Sequence, residues 1–287
     1  MALVIERRIR SRTESFLAMA AFKSLWVGSA LSPIEQLCIR SFLANGHTFE
    51  LFCYGDVSGV PDGCLLRDAN EILRGERVFP NQEGVGAGSF SAFSDLFRYK
   101  LLHDTGGWWV DTDVVCLTAG VPVEEPLLAL EDKEQLNTAI MKFPAHHPLM
   151  AQAFARADAA GERVAWGQTG PMLMAELVVA FGLQSCIAPA GAFYPIHWSE
   201  HATMLSPQYE SSLQQRIRGA SFLHLWNEMF RRSRYDKWVR PPQGSFLYAL
   251  MARFDMLGGF EYEYALLDGN EGALRMQRRR VAKASRG

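Results

Sequence analysis

A strand–helix–strand pattern near the start of the chain constrains the fold most. The apolar run from Phe22 to Gly28 predicts a buried strand, and the run from Thr48 to Tyr54, rich in aromatic residues, predicts a second. Between them, Ser32 to Glu35 has the order of a helix start, with serine as N-cap, proline next and glutamate third. This helix is expected to end at Asn45-Gly46. Such a unit predicts parallel strands and an α/β fold that binds ligands beyond the carboxyl ends of its strands.

The segment from Ser94 to Val115 carries most of the functional information. A helix runs into a stop at Gly106-Gly107, and the strand predicted over Trp108 to Cys116 carries Asp111 and Asp113. Side chains two positions apart on a strand share a face, so the carboxylates are expected roughly 6.6 Å apart. Two such anions repel each other and need a cation between them. Carboxylate oxygens suit Mg²⁺ or Mn²⁺, and these ions usually bind substrate phosphates as well. The pattern predicts a metal–diphosphate site.

The helix predicted from about Ser91 to His103 has one apolar half. Asp95 and Arg98 lie on the other half, three positions apart. Taken alone, these two residues are explained by an exposed ion pair of a few tenths of a kcal/mol. The chain beyond is predicted to contain a strand at Leu127–Leu130 and a helical segment from Asn137.

Composition limits the classes of function. The 287 residues are 48% hydrophobic and 21% charged, as in ordinary globular proteins, and a net charge of −2 argues against nucleic-acid binding. Five cysteines without a C-x-x-C pair are expected to be free thiols in a reducing compartment. No apolar run reaches the ~18 residues of a membrane span, and the N-terminus lacks the order of a signal peptide. A cytoplasmic location is expected.

The chain is expected to contain one domain with two flanking segments. Residues 1–20 are assigned to an N-terminal arm, residues 21–270 to the domain and residues 271–287 to a basic, disordered tail. From Arg275 to Gly287 the sequence has six basic residues and no acidic one. A solvated tail explains that composition, and the alternative is peripheral contact with anionic lipid at ~1 kcal/mol per basic residue.

Taken together, these motifs resemble those of a known family. The block from Ser94 to Val115 resembles the sugar-nucleotide glycosyltransferases whose D-x-D motif follows a D-x-x-R-Y helix and a G-G turn. Capsular polysaccharide and lipopolysaccharide sugar transferases, α-1,4-galactosyl- and α-1,6-mannosyltransferases and, more distantly, the glucosylating clostridial toxins are similar. Further segments match in the family's order between about residues 22 and 240: Leu25–Gly28 with Leu31–Pro33, Asn137–Pro148, Gly170-Pro171, Phe193–Pro195 and His224–Asn227.

The resemblance implies a GT-A fold, which is a single Rossmann-like α/β domain with a mixed, mostly parallel sheet. It also implies a nucleotide-diphosphate sugar donor, with UDP expected in preference to GDP, and Mn²⁺ or Mg²⁺ as cofactor. The expected reaction moves a hexose or N-acetylhexosamine to a saccharide or lipid-linked saccharide with retention of configuration. Bacterial surface polysaccharide synthesis is the expected setting.

The resemblance also implies roles for the motif residues at the metal. Asp111 and Asp113 are the implied catalytic pair, with Asp113 on the metal that bridges the phosphates. Asp111 would contact the ribose or donor sugar, and the metal through water. His224 and Asn227 would complete the metal shell, although His224 taken without the resemblance is better explained as a core histidine.

Four further residues are implied in donor binding. Asp95 and Arg98 would hold the donor sugar hydroxyls. Trp109 stands where the family often has tyrosine, and Trp26 would lie against the base, although Trp26 taken alone is better explained as a core residue.

Two other functions fit parts of the sequence. Val110 to Val115 also resembles the opening motif of haloacid-dehalogenase phosphohydrolases, with Asp111 as nucleophile. That family needs a downstream lysine and a distant acidic pair, and Glu131-Asp132 follows Asp113 too soon for the intervening helices. A non-catalytic sugar-nucleotide-binding relative is disfavoured because both D-x-D carboxylates are present.

Overall fold

The computed structural model describes residues 19–267 and 276–282. Within these ranges the strands are β1 (Ala21–Trp26), β2 (Thr48–Cys53), β3 (Leu65–Asp68), β4 (Gly107–Val110), β5 (Val114–Cys116), β6 (Leu127–Leu130), β7 (Leu136–Phe143), β8 (Ile187–Ala188), β9 (Phe222–His224), β10 (Tyr262–Leu266) and β11 (Met276–Arg280). The α-helices are α1 (Pro33–Ala44), α2 (Ser91–Thr105), α3 (Pro148–Ala160), α4 (Leu173–Ala180), α5 (Ala190–Phe193), α6 (Glu210–Arg216), α7 (Asn227–Arg232) and α8 (Phe246–Arg253).

A seven-stranded sheet forms the centre of the domain, in the order β3-β2-β1-β4-β7-β6-β8. All neighbouring pairs are parallel except those of β7, which runs against β4 and β6. The α/β class and the mixed, mostly parallel sheet are therefore confirmed. Strand β1 lies between β2 and β4, so the chain order reverses at β1 and a crevice is expected at the carboxyl ends of β1 and β4.

The predicted strand–helix–strand unit is confirmed as β1, α1 and β2. The Ser32 hydroxyl caps α1 by accepting from the Ile34 N–H at 3.3 Å, and the Glu35 carboxylate accepts from the Ser32 N–H at 2.9 Å. This reciprocal arrangement satisfies two N–H groups that a helix start would leave unpaired. It fixes the point at which the chain turns back over the sheet.

Two hydrophobic cores lie on the two faces of the sheet. Alternation along β4 sends Trp108 into the core beneath α1 and Trp109 into the core beneath α2 and α3. Helix α2 therefore packs on the face opposite α1, and it ends where Gly106 adopts φ +61°. A Cβ at Gly106 would come within 2.5 Å of the Ala145 nitrogen, so this turn requires glycine.

The segment from Asn137 is strand β7 and not the predicted helix. Its side chains are buried on both faces of the sheet, with Lys142 the partly exposed exception. A strand covered on both faces lacks the alternation of polar and apolar residues that identifies a half-buried strand, so periodicity cannot separate it from a buried helix. The segment is a strand because it pairs with β4 and β6, and these partners cannot be recognised from the segment's own sequence.

The single strand predicted over Trp108–Cys116 is also wrong. Strand β4 ends at Val110, and β5 belongs to a separate two-stranded sheet with β9. Residues 111–113 form a turn between them, closed by the Val114 N–H donating to the Asp111 carbonyl at 3.1 Å.

Part of the expected disordered tail is a strand. Residues 276–280 form β11, antiparallel to β10, and Arg278, Arg279 and Arg280 lie within 3.6 Å of acidic side chains from other segments. These partners are distant in sequence, so a rule based on local composition misses them. Residues 1–18, 268–275 and 283–287, which include most of the predicted arm and the rest of the tail, lie outside the described residues. Among the described helices, none is long and apolar enough to cross a membrane.

Candidate active site

A cavity of about 930 Å³ opens at the carboxyl ends of β1 and β4. Residues from the ends of β1, β4 and β6 line it, together with the start of β7 and the segment after β9. The sequence-predicted residues that line this cavity are Trp26, Asp95, Arg98, Asp111, Asp113, His224 and Asn227. Trp109 is buried and does not line the cavity, but its indole N–H donates to Asp111 at 2.8 Å and its ring lies against Arg98.

The D-x-D carboxylates meet in the cavity, but not by strand alternation. They lie on the turn after β4, which the Asp111 N–H anchors by donating to the Ala139 carbonyl of β7 at 2.8 Å. The turn brings Asp111 and Asp113 to one wall of the cavity. The prediction that the two side chains lie together is confirmed, and the reason given for it was wrong.

Asp113 is paired with His224. The β5–β9 pairing sets Val114 opposite His224, and this brings the His224 Nε2 to 3.1 Å from the Asp113 Oδ2, to which it donates. The backbone N–H of Asn227 donates to the same oxygen at 2.7 Å. Burial alone would raise the pKa of Asp113, but the His224 charge and these hydrogen bonds hold that pKa below its ordinary value. Burial would lower the pKa of His224, and the Asp113 charge raises it instead.

Arg98 is a buried cation between two carboxylates. It lies 3.1 Å from the Asp111 carboxylate and 3.6 Å from that of Asp95, with its guanidinium 4.9 Å from the centre of the Trp109 ring. Burial raises the pKa of Asp95 to about 6, against the opposing effect of the Arg98 charge. Burial raises the pKa of Asp111 as well, although Arg98 again opposes it. The exposed ion pair suggested by the helix pattern is therefore wrong.

Backbone and side-chain contacts lock this arginine in place. The Nη1 group donates to the Thr138 carbonyl at 2.6 Å, Nε to the Ser94 carbonyl at 3.1 Å and Nη2 to the Ser94 hydroxyl at 2.9 Å. Ser94 lies one helical turn before Arg98, and Thr138 is on the strand that the sequence pattern misassigned. The guanidinium cannot move without breaking contacts to two elements.

The predicted Gly170-Pro171 turn packs against Asp95. The Thr169 hydroxyl donates to the Asp95 carboxylate at 3.1 Å, and the Tyr99 hydroxyl donates to the Thr169 carbonyl at 2.7 Å. A Cβ at Gly170 would lie 2.9 Å from an Asp95 oxygen, so a side chain is excluded there. The turn confines the carboxylate to the cavity side of α2.

Three side chains fit a divalent metal ion. Asp111, Asp113 and His224 each present a ligand atom, and these atoms lie within 4.8 Å of one another. Two carboxylates and an imidazole form a donor set that Mn²⁺ accepts, and carboxylate oxygens suit Mg²⁺. The His224 Nδ1 is buried without a hydrogen-bond partner among the described residues, so this ring nitrogen is not engaged by a neighbour.

Asn227 differs from its implied role as a metal ligand. Its side-chain Nδ2 donates to Glu35 at 2.7 Å, and its Oδ1 lies 3.4 Å from the Lys237 amine. Only its backbone N–H faces Asp113. This arrangement favours Asn227 as a residue that holds Asp113 and not as a ligand.

Two tryptophans occupy different places. Trp26 is half-buried at the end of β1, and its indole N–H is enclosed without an acceptor among the described residues. Trp226 is buried with its ring 4.1 Å from that of His224, and it donates to the Ile196 carbonyl at 2.9 Å. Trp226 therefore packs against the imidazole that the site uses.

Sequence reasoning missed two charged residues at this site. Glu35 was interpreted only as part of the α1 cap, and Lys237 was not considered. Lys237 lines the cavity and forms an ion pair with the buried Glu35. The capping pattern at Ser32 to Glu35 is local and can be recognised in the sequence. The pairing of Glu35 with Lys237, 202 positions away, produces no such pattern.

Part of the chain is similar in sequence to known glycosyltransferases. Residues 142–253 match the model of the alpha 1,4-glycosyltransferase conserved region. Lactosylceramide 4-alpha-galactosyltransferase of Mus musculus is 26% identical over 146 residues, which cover 47% of this chain and 40% of that protein. The Homo sapiens protein of that name is 24% identical over 154 residues, which cover 50% of this chain and 43% of that protein.

The chain is therefore similar to alpha 1,4-glycosyltransferases over part of its length. The matches span less than half the length of these two animal proteins. A solved structure entitled PaToxG Glycosyltransferase is similar with a TM-score of 0.43 and 14% identity, covering 64% of this chain and 78% of that one. The matched region 142–253 contains Gly170, His224 and Asn227, whereas the D-x-D turn and Arg98 precede it.

Proposed function

We propose that the protein is a metal-dependent glycosyltransferase that moves a hexose or N-acetylhexosamine from a nucleotide-diphosphate sugar to a saccharide or lipid-linked saccharide. The observation that carries this proposal is the joining of two charged groups in one cavity. Asp113 and His224 form one group, and Asp95 and Arg98 form the other, with Asp111 between them. A metal–diphosphate and a sugar ring need these two neighbouring environments.

The first group would hold the diphosphate end of the donor. Asp111, Asp113 and His224 would bind Mn²⁺ or Mg²⁺, which offsets the charge that develops on the departing diphosphate. Asn227 and Trp226 keep Asp113 and His224 in place through the contacts described above. Trp26 would face the base, for which we propose uracil in preference to guanine.

The second group would hold the sugar. Asp95, whose pKa is about 6, is ionised at neutral pH and can accept hydrogen bonds from sugar hydroxyls. The Arg98 charge favours the ionised forms of the Asp95 and Asp111 carboxylates. These anions would also stabilise the oxocarbenium-like charge that builds on the sugar in glycosyl transfer. We propose retention of configuration, in keeping with the family resemblance.

The phosphohydrolase alternative lacks support at the site. Asp111 would have to be a free nucleophile, but the Trp109 indole donates to it at 2.8 Å and Arg98 is paired with it. The lysine that lines the cavity, Lys237, is paired with Glu35. These contacts disfavour a phosphohydrolase.

A donor screen tests the proposal. UDP- and GDP-hexoses are incubated with the protein and Mn²⁺ in the absence of acceptor, and hydrolysis of the true donor is expected. Asp113→Asn should abolish that hydrolysis and Mn²⁺-dependent donor binding, while circular dichroism shows a folded chain. The matched control is Asp158→Asn, because Asp158 is exposed and, among the described residues, forms an ion pair with Arg77 at the surface.

Three results would contradict the proposal. Equal stabilisation against heat by UDP with Mn²⁺ and by UDP with a chelator would exclude the metal role. Full activity in Asp113→Asn would also exclude the metal role. A covalent aspartyl-phosphate on Asp111 would favour the phosphohydrolase.

The setting of the reaction is also a proposal. We propose a cytoplasmic location and surface polysaccharide synthesis, as the sequence suggests. Contact with anionic lipid through the basic segment has less support, because Arg278, Arg279 and Arg280 already pair with Asp236, Glu263 and Glu261. Flotation with vesicles that contain phosphatidylglycerol would measure such contact.

A further inference from the structure

Glu35 has more partners than a helix cap needs. Its side chain is completely buried at the start of α1. One carboxylate oxygen, Oε2, accepts from the Ser32 N–H and hydroxyl, and these bonds complete the cap. The other oxygen, Oε1, accepts from the Asn227 side-chain amide at 2.7 Å and from the Lys237 amine. Capping therefore involves Oε2, whereas Oε1 binds the segment that follows β9.

That segment holds a conformation that needs support. Trp226 adopts φ +61° and ψ 57°, the left-handed region that bulky residues rarely occupy. This turn directs the backbone N–H of the next residue, Asn227, at the Asp113 carboxylate, 2.7 Å away. A disfavoured backbone conformation persists only where its surroundings hold it. The bond from Glu35 to the Asn227 side chain fastens the residue directly after the strained one.

We propose that Glu35 is a positioning residue for Asp113. It does not touch the metal or the donor, and it acts through Asn227, whose side chain it binds and whose N–H holds Asp113. The part of this inference that concerns the metal depends on the proposed function, because Asp113 is the residue assigned there to the ion. The mechanical part, in which Glu35 fixes the turn at residues 226–227, stands independently.

The structure provides matched variants for the test. Glu35→Gln keeps the shape of the side chain but turns an NH₂ group towards at least one of its four donors. Asn227→Ala removes the tether and keeps the backbone N–H. Ser32→Ala is the control, because it weakens the cap at Oε2 and leaves the bonds at Oε1 in place.

Two measurements on the full chain separate the parts of the inference. Titration calorimetry with Mn²⁺ alone is expected to show about a tenfold or larger loss of affinity in Glu35→Gln and in Asn227→Ala, the range found when residues behind a metal ligand are changed. Hydrogen exchange is expected to speed up at residues 226–232 in both variants. In Ser32→Ala, Mn²⁺ affinity should stay within about threefold of wild type, and faster exchange should be confined to the first turn of α1.

The outcomes are distinguishable. A folded Glu35→Gln variant that matches Ser32→Ala in both measurements overturns the proposal. Weak Mn²⁺ binding in Asn227→Ala with normal binding in Glu35→Gln also overturns it and makes Asn227 a metal ligand. If Glu35→Gln does not fold, the proposal is tested on Asn227→Ala, which must show both faster exchange at residues 226–232 and weaker Mn²⁺ binding. If wild type binds no Mn²⁺, the proposed function fails, and the exchange data alone decide the role of Glu35.

Discussion

Replacing Arg98 by methionine would test the charge balance of the cavity. Arg98 is 3% exposed, and its removal leaves the buried Asp95 and the partly buried Asp111 without their cation. The Thr138 carbonyl also loses the donor at 2.6 Å. Removing one partner of a buried ion pair costs about 3–5 kcal/mol, against a total stability of about 5–15 kcal/mol for a typical protein. We expect Arg98→Met to lose a large share of its free energy of unfolding at pH 7.

Urea unfolding followed by circular dichroism measures this loss. The control is Arg77→Met, because the Arg77–Asp158 pair is about 40% exposed on both sides and should contribute less than about 1 kcal/mol. Without Arg98, the pKa values of both carboxyls rise further, so lowering the pH to 5 protonates them and removes the unpaired charge. The deficit of Arg98→Met should therefore shrink at pH 5. A variant as stable as the control at pH 7, or an equal deficit at both pH values, would refute the reasoning.

Three further changes test the same wall of the cavity. The folded-state pKa of Asp95, about 6, lies above its unfolded value, so wild type should gain stability as the pH falls from 7 to 5. The urea midpoint of Asp95→Asn should rise less over the same pH range. Parallel pH dependence of the two midpoints would contradict a raised pKa for Asp95. Gly170→Ala places a Cβ 2.9 Å from Asp95 and should cost about 1–3 kcal/mol in urea unfolding, whereas Gly55→Ala, in open space, should be neutral. Trp109→Phe removes the indole bond to Asp111 and should weaken Mn²⁺-dependent UDP binding by about tenfold in calorimetry, with unchanged affinity as the contrary result.

Sequence reasoning succeeded where the signal is local. The serine–proline–glutamate order predicted the start of α1, and the double glycine predicted the end of α2 within a residue or two. Caps and turns depend on a few neighbouring φ and ψ angles and on backbone groups that those neighbours satisfy, so a short stretch of sequence specifies them. The strand–helix–strand unit followed directly.

Sequence reasoning failed where the outcome depends on distant partners. The run from Leu136 to Phe143 became a strand because β4 and β6 flank it, and nothing within the run distinguishes it from a buried helix. The D-x-D pair lies on a turn because β5 leaves the main sheet to pair with β9. The proximity of Asp111 and Asp113 survived that error, since residues two apart at one strand end stay close on a strand or on a turn.

Short-range patterns specify the local elements of this protein and the two carboxylates around which its site is built. Packing of distant segments makes Arg98 a buried cation, sets the His224 Nε2 directly against Asp113, and pairs Glu35 with Lys237, 202 positions away. Helix and strand signals repeat along the chain, so they can be read from it. The effect of a charge depends on what surrounds it and how much water reaches it, and that is settled only when segments distant in sequence pack together.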